Sequence, residues 1–358
     1  MLPPLAQCLS KKVWYATAFS LIINLFAVGE AAAAFVNSSR HLPPPVADFH
    51  LNIFQGPALT AELKRMAVRN PKPFSHMLPI ALKVRTGAEV LKLLDQAGIK
   101  RGVSLSGAYM FGSSFAKPDK LDVPRLTREE NRFNVEGALR SHGRLVAFVG
   151  IDPFVPSAIN EMRYWAHKPG VTGVNLHLAN SGFKPDSPAQ IAMLAHFVGV
   201  ARKLNLPLII HVRSGVAYTK ADAERFINDV LSHAGNLPVQ IAHAGGWGGI
   251  DEPTLDALSA YGAAIARKAP GTRNLFFDLA LVVMNDKTDP EYLKRFVALM
   301  RKIGLDRFVM GSDWPGMYTP AAYDSLVESQ LPLTPVEWRQ VLGNRAPYLD
   351  PRDRFVGR

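Results

Sequence analysis

Four residues could do chemistry together, and each follows a different apolar run: His50 in Ala47-Asp48-Phe49-His50, His211 in Leu208-Ile209-Ile210-His211, His243 in Gln240-Ile241-Ala242-His243, and Asp313 in Met310-Gly311-Ser312-Asp313. Apolar strands rarely end on imidazole or carboxylate unless those groups converge on something. In a (β/α)8 barrel the C-terminal strand ends do converge, at the active mouth. Three imidazoles and a carboxylate at one mouth suit a divalent metal and a water that it activates.

The elements that must place these residues are readable along the chain. Strand-like runs fall at 46–50, 101–106, 144–152, 171–178, 206–212, 239–243, 275–281 and 307–312. Amphipathic helical stretches separate them at 86–97, 128–141, 157–166, 188–204, 220–234, 254–266 and 291–303, several stopping at Gly98, Gly143, Gly235 or Gly304. Eight such units in this order predict a single TIM-type (β/α)8 barrel over 46–358. Two connections are long, 55–85 and 108–127, and are expected to shape the mouth.

Side chains alternate along a strand. Alternation puts Asp48, His50 and Asn52 on one face, Asn175 with His177, and Ile209, His211 and Arg213 together; these faces are expected to point to the barrel axis. Of the ten histidines, those at 50, 177, 211 and 243 sit at strand ends. Arg213 offers a bidentate clamp for a carboxylate, or an ion pair with a rim acid such as Asp48. Lys184 is a weaker anion candidate. Gly245-Gly246-Trp247-Gly248-Gly249 forms a loop beside His243, and Trp314 is expected to wall the pocket.

The first residues precede the fold. Lys11-Lys12, the apolar run from Val13 to Val28 and the stretch Ala31-Ala32-Ala33-Ala34 have the layout of a cleaved signal peptide over 1–34, followed by a linker at 35–45. The apolar run is short for a spanning helix, so no stable membrane span is expected after cleavage. The expected destination is the periplasm or the medium. Cys8, the single cysteine, lies upstream of the expected cleavage, which leaves the mature chain without thiol catalysis or thiolate ligands. The chain of 358 residues carries a net charge of +11 with no dense basic run and no nucleic-acid motif. Diffuse basicity fits a small, anionic substrate better than nucleic acid.

The motifs together resemble the amidohydrolase superfamily, in particular its amidohydrolase-2 branch, with aminocarboxymuconate-semialdehyde decarboxylase-like enzymes and dicarboxylate lactonases. The matching pieces are Ala47-Asp48-Phe49-His50-Leu51-Asn52, Leu208-Ile209-Ile210-His211, Ile241-Ala242-His243-Ala244-Gly245-Gly246, Gly311-Ser312-Asp313-Trp314-Pro315 and the tail Val341-Leu342-Gly343-Asn344-Arg345-Ala346. The resemblance implies His50, His211 and Asp313 as metal ligands, His243 as an acid/base or polarising group, and Asp313 as a proton acceptor. One metal is expected, zinc foremost, with manganese and iron also fitting the ligands. The chain departs from the family at Asn52, where a second histidine is usual, so the site either uses the Asn52 oxygen, recruits His177 or binds metal poorly. No lysine stands on the fourth strand to bridge a second metal. The leading expectation is a metal-dependent hydrolase of a small ester, lactone or amide. The alternatives are a non-oxidative decarboxylase of the same fold, a metal-free lactonase, and a barrel that only binds a ligand. Barrels of this kind often pair, which leaves a homodimer open.

Overall fold

The computed structural model describes residues 42–69, 79–116, 120–213, 215, 217–285 and 288–350. The signal peptide read at 1–34 and most of the linker lie outside the described residues. Eight parallel strands follow one another around the sheet in chain order. They are β1 (Asp48–Leu51), β2 (Gly102–Leu105), β3 (Leu145–Gly150), β4 (Val171–His177), β5 (Leu208–His211), β6 (Val239–Ile241), β7 (Leu275–Asp278) and β8 (Phe308–Val309). The ring closes between its ends. Phe49 N–H donates to Met310 O at 2.8 Å, Asp313 N–H to His50 O at 2.9 Å and Asn52 N–H to Trp314 O at 2.7 Å. This is the TIM-type barrel that the repeated strand–helix order predicts.

Helices cover the barrel because their starts are written locally. Asp122, Ser187, Asp251, Asp289, Thr319 and Thr334 each cap a helix with a side-chain oxygen, and a proline stands in the first turn of each. Two expectations are corrected here. The first long connection contains a helix, α1 (Pro57–Arg69), whose Leu59, Leu63 and Met66 are buried at helical spacing. The helix after β2 starts at Val123 instead of 128, because Asp122 accepts from Arg125 N–H and Pro124 pre-sets the first turn.

Buried apolar residues fall into layers. Val149, Leu176, Ile210 and Ile241 belong to the large cluster that the strands share with the helices. Phe49, Val103, Leu105, Phe148, Ile209 and Val309 form a second cluster in the barrel interior, with the Tyr348 ring edge-on to Phe49 and Phe148.

Phe49 in that interior overturns the simple alternation expected for β1. The register against β2 shifts between Asp48 and Leu51, so three steps on β1 match two on β2. The cause is Asp48. Its Oδ1 accepts the N–H of His50 at 3.0 Å and of Ser312 at 3.1 Å, and its Oδ2 accepts the Ser312 hydroxyl at 2.5 Å. The carboxylate replaces backbone partners at the β1–β8 seam, and the bulge turns His50 into the mouth, a common use of bulges. Strands 6, 7 and 8 also stop earlier than their apolar runs suggest. Side-chain oxygens of Asp278 and Asp48 take the next N–H groups, from His243, Ala280 and Ser312, that a ladder would otherwise use.

Candidate metal centre

Each candidate side chain is held by a feature that its neighbours dictate. His50 sits on the β1 bulge, and Gly311 lies against it; a Cβ at Gly311 would approach the His50 Cβ to 2.8 Å. His211 ends β5 and pairs in register with His177 at the end of β4. His243 and Asp313 lie just beyond their strands, both in the left-handed region, with φ of 53° and 56°. Non-glycine residues hold that conformation at a cost, and such strain gathers at functional sites. Here it is maintained by the Asp278 bond to His243 N–H at 2.9 Å and by the β1–β8 seam.

The imidazoles are oriented by their outer nitrogens. His50 Nδ1 donates to Asp278 Oδ2 at 3.0 Å, His211 Nδ1 to the Leu176 carbonyl at 3.2 Å and His243 Nδ1 to the Ala280 carbonyl at 2.8 Å. Carbonyls and carboxylates only accept, so each Nδ1 carries a proton and the second ring nitrogens are left to point toward the mouth. The Nε2 atoms of His50 and His211 are 3.2 Å apart. One ring nitrogen from each of His50, His211 and His243 lies within 4.8 Å of the others, and all three residues are buried. Asp313 Oδ1 joins them 3.3 Å from His50 Nε2. Ring nitrogens and a carboxylate that meet this closely out of water require positive charge among them, from a proton or a cation. Borderline nitrogen donors with one hard carboxylate fit zinc, manganese or iron, so the residues present suit a divalent cation.

The electrostatics show the same demand for positive charge, which a proton on His50 can also meet. Burial opposes a charge on His50, yet the Asp278 and Asp313 carboxylates outweigh it and push His50 up to about 10. Burial pulls the other way on both acids, but His50 holds Asp278 and Asp313 below the usual carboxylate range. His211 is pushed well below its ordinary value by burial and by the neighbouring His177. His177 falls to about 3, through burial and the nearby His243, and is neutral at physiological pH.

The remaining expected residues divide. Asn52 does not present its oxygen to the centre; its amide N–H donates to Asp313 Oδ1 at 2.7 Å. His177 stacks on His211 with ring centroids 4.5 Å apart and planes 9° apart, and Tyr109 lies 5.3 Å from His177. Arg213, expected as an anion clamp, is instead paired with Asp251, its two terminal nitrogens 2.8 and 2.9 Å from the two carboxylate oxygens. The ion-pair alternative therefore describes it, with Asp251 and not Asp48 as the acid. Trp314, expected to wall the pocket, is buried in the main apolar cluster and bridges to Leu51, so it braces the Asp313 turn. Lys184 is exposed.

Sequence reasoning missed Asp278. It orients His50, accepts from Gln240 Nε2 at 2.7 Å and holds the backbone of the His243 turn. A carboxylate closing the apolar run Leu275-Phe276-Phe277 is the same signal that marked Asp313. Tyr109, on the short 3-10 turn Ala108–Gly112, was also missed.

The family described as Amidohydrolase matches residues 93–346. This chain belongs to the amidohydrolase family. The match begins after β1, so Asp48, His50 and Asn52 stand outside it, in the part of the chain where the usual second histidine is replaced. No curated protein matches the chain. Solved structures share the fold at low identity. 5-Carboxyvanillate decarboxylase LigW from Sphingomonas paucimobilis is 16% identical with a TM-score of 0.55, over 87% of this chain and 98% of that one. A 5-carboxyvanillate decarboxylase from Novosphingobium aromaticivorans, with manganese and a nitrobenzoic acid bound, is 11% identical with a TM-score of 0.58, over 87% and 99%. An amidohydrolase from Burkholderia multivorans with bound zinc is 16% identical with a TM-score of 0.55, over 84% and 96%. Among the described residues of this amidohydrolase, no helix is long and apolar enough to cross a membrane.

Proposed function

We propose that this amidohydrolase is a metal-dependent carboxy-lyase that removes carbon dioxide, without an oxidant, from a small planar aromatic or enoate acid. The observation that carries the reading is the aromatic wall beside the imidazoles. Tyr109, His177 and His211 follow one another at 5.3 and 4.5 Å, and such a wall suits a flat conjugated acid. The carboxyvanillate decarboxylases of the same fold support this reading over the hydrolase expected at first, and so does the manganese-bound aromatic acid in one of them.

A divalent cation held by His50, His211 and Asp313 would supply positive charge to orient the anionic substrate and offset charge left on the ring as the carboxylate departs. The chain's own residues handle the rest. Loss of carbon dioxide leaves a carbon that must gain one proton. Asp313 Oδ1 accepts from Asn52, while Oδ2 has no partner among the described residues and is the oxygen open to carry that proton. Neutral His177 lines the planar substrate without adding charge.

The hydrolase reading keeps one observation in its favour: the same Asp313 oxygen would also serve as base for a water attacking an ester, lactone or amide. The deciding experiment incubates the metal-loaded protein with hydroxybenzoic and enoic acids and, separately, with lactones and esters. Carbon dioxide is expected from the acids, with none from an Asp313→Ala variant whose circular dichroism is native. Acid release from lactones without carbon dioxide would replace this reading with the hydrolase, and the same activity after chelation would make it a metal-free lactonase. Tight binding of an acid without turnover would mark a ligand-binding barrel.

Export and pairing belong to the same proposal. The mature protein is expected to begin at Phe35, which N-terminal sequencing of exported material checks. A homodimer would appear in light scattering.

A further inference from the structure

Position 52 is where this chain departs from its family, and the structure shows what each neighbour does in consequence. The Asn52 amide turns its N–H toward Asp313 Oδ1, and an amide nitrogen has no lone pair to give a cation. Reversing the amide would set its oxygen against the carboxylate oxygen at 2.7 Å, which is repulsive. His243, in turn, is fixed at both ends. Its backbone N–H is held by Asp278, its Nδ1 by the Ala280 carbonyl, and its left-handed backbone brings the ring over His50, with centroids 4.8 Å apart. One of its ring nitrogens lies within 4.8 Å of a ring nitrogen of each of His50 and His211.

We infer that His243 is the third imidazole ligand of the cation in this protein, and that Asn52 has become a positioning residue that holds the Asp313 carboxylate. The three imidazoles then come from three separate strands, β1, β5 and β6, instead of two from one strand. His243 is withdrawn from proton transfer, which leaves that task to Asp313. The inference rests on the reading that the site takes a divalent cation; it does not depend on which reaction follows.

The test uses the full mature chain loaded with Co2+ alone. Every cobalt-bound imidazole with a protonated Nδ1 gives one strongly shifted, exchangeable proton resonance, so ligands can be counted directly. The native protein is expected to bind about one equivalent and to show three such resonances. His243→Ala should show two. Asn52→Ala should keep three while binding Co2+ ~10-fold more weakly and shifting its visible absorption, because Asp313 loses its donor. Two resonances in the native protein, both retained in His243→Ala, would overturn the inference without needing the variant to fold perfectly, since the native count stands alone. Negligible Co2+ in the native protein would instead overturn the cation reading beneath it.

Discussion

Two buried polar clusters in this barrel are built on opposite plans. Under the first long connection, donors meet acceptors. Arg85 donates to the Ile80 carbonyl at 2.8 Å and to Gln55 Oε1 at 2.9 Å, and Gln55 Nε2 donates to Thr60 Oγ1 and the Lys83 carbonyl, both at 3.1 Å. Gly56 N–H donates to Glu130 Oε1 at 2.9 Å. Apart from Arg85 Nε and Glu130 Oε2, which lack partners, that cluster satisfies itself, and it fixes a loop. At the mouth, the outer nitrogens of His50, His211 and His243 are satisfied and the inner ones face each other. A cluster complete in itself is structural; one that needs added positive charge, from a proton or a cation, is a site. Burial alone does not separate the two, since both lie out of water.

The largest expected effect breaks the mouth and spares the loop. Dialysis against a chelator should abolish turnover, and Mn2+ or Zn2+ should restore it. Restoring a cation at 100 times its dissociation constant should also add about 2.7 kcal/mol of stability, visible as a higher urea midpoint. A midpoint indifferent to the metal would remove the distinction between the clusters. Next comes Asp278→Asn. Asp278 serves His50 Nδ1, Gln240 Nε2 and the N–H groups of His243 and Ala280, and an amide has only one oxygen for them. Metal affinity should fall ~10–100-fold, the usual cost of losing a group that orients a ligand. Competition against a coloured chelator reads this, and unchanged affinity would mean that Asp278 does not set the imidazoles.

How much of this was legible depended on where each cause lies in the chain. His50, His211, His243 and Asp313 could be read because a polar residue closing an apolar run is a local signal. Asp278 carried that signal too and was lost inside a strand drawn three residues too long, to 281. The β1 bulge was not legible. Its parity depends on Asp48 meeting Ser312, far along the chain and adjacent only after the ring closes. The partner of Arg213 was hidden likewise, because Asp251 starts a helix on the following unit. The helix Pro57–Arg69 was readable from its apolar spacing, but the prolines and glycine around it suggested a loop.

The loop cluster yields the next effect. Burial raises Glu130 to about 7, against bonds from Gly56 and Leu59 N–H and the charge of Arg85, which lower it. A carboxyl with a raised value in the fold contributes stability that is complete below its ordinary value of 4.5 and is lost as pH rises through about 7. Glu130→Gln keeps the neutral shape and cannot ionise. It should match the native protein near pH 4 and exceed it near pH 8, by about 3 kcal/mol at most. Urea midpoints at the two pH values test this, and parallel stabilities would show that the fold does not raise the carboxyl above its ordinary value.

The smallest effect sharpens the boundary between the two plans, at Arg213. Its position beside His211 invites a role in binding an acid, yet it is paired with Asp251, whose side chain is 47% exposed. Asp251→Asn preserves the helix cap, since asparagine caps as well as aspartate. It removes the negative charge that occupies Arg213. Because Asp251 is screened by solvent, stability should fall by only ~1 kcal/mol. If Arg213 belongs to the self-satisfied kind, KM for an acid substrate stays the same. If the guanidinium reaches the substrate, release from Asp251 lowers KM, more so at low salt, and Arg213 must then be counted with the imidazoles at the mouth.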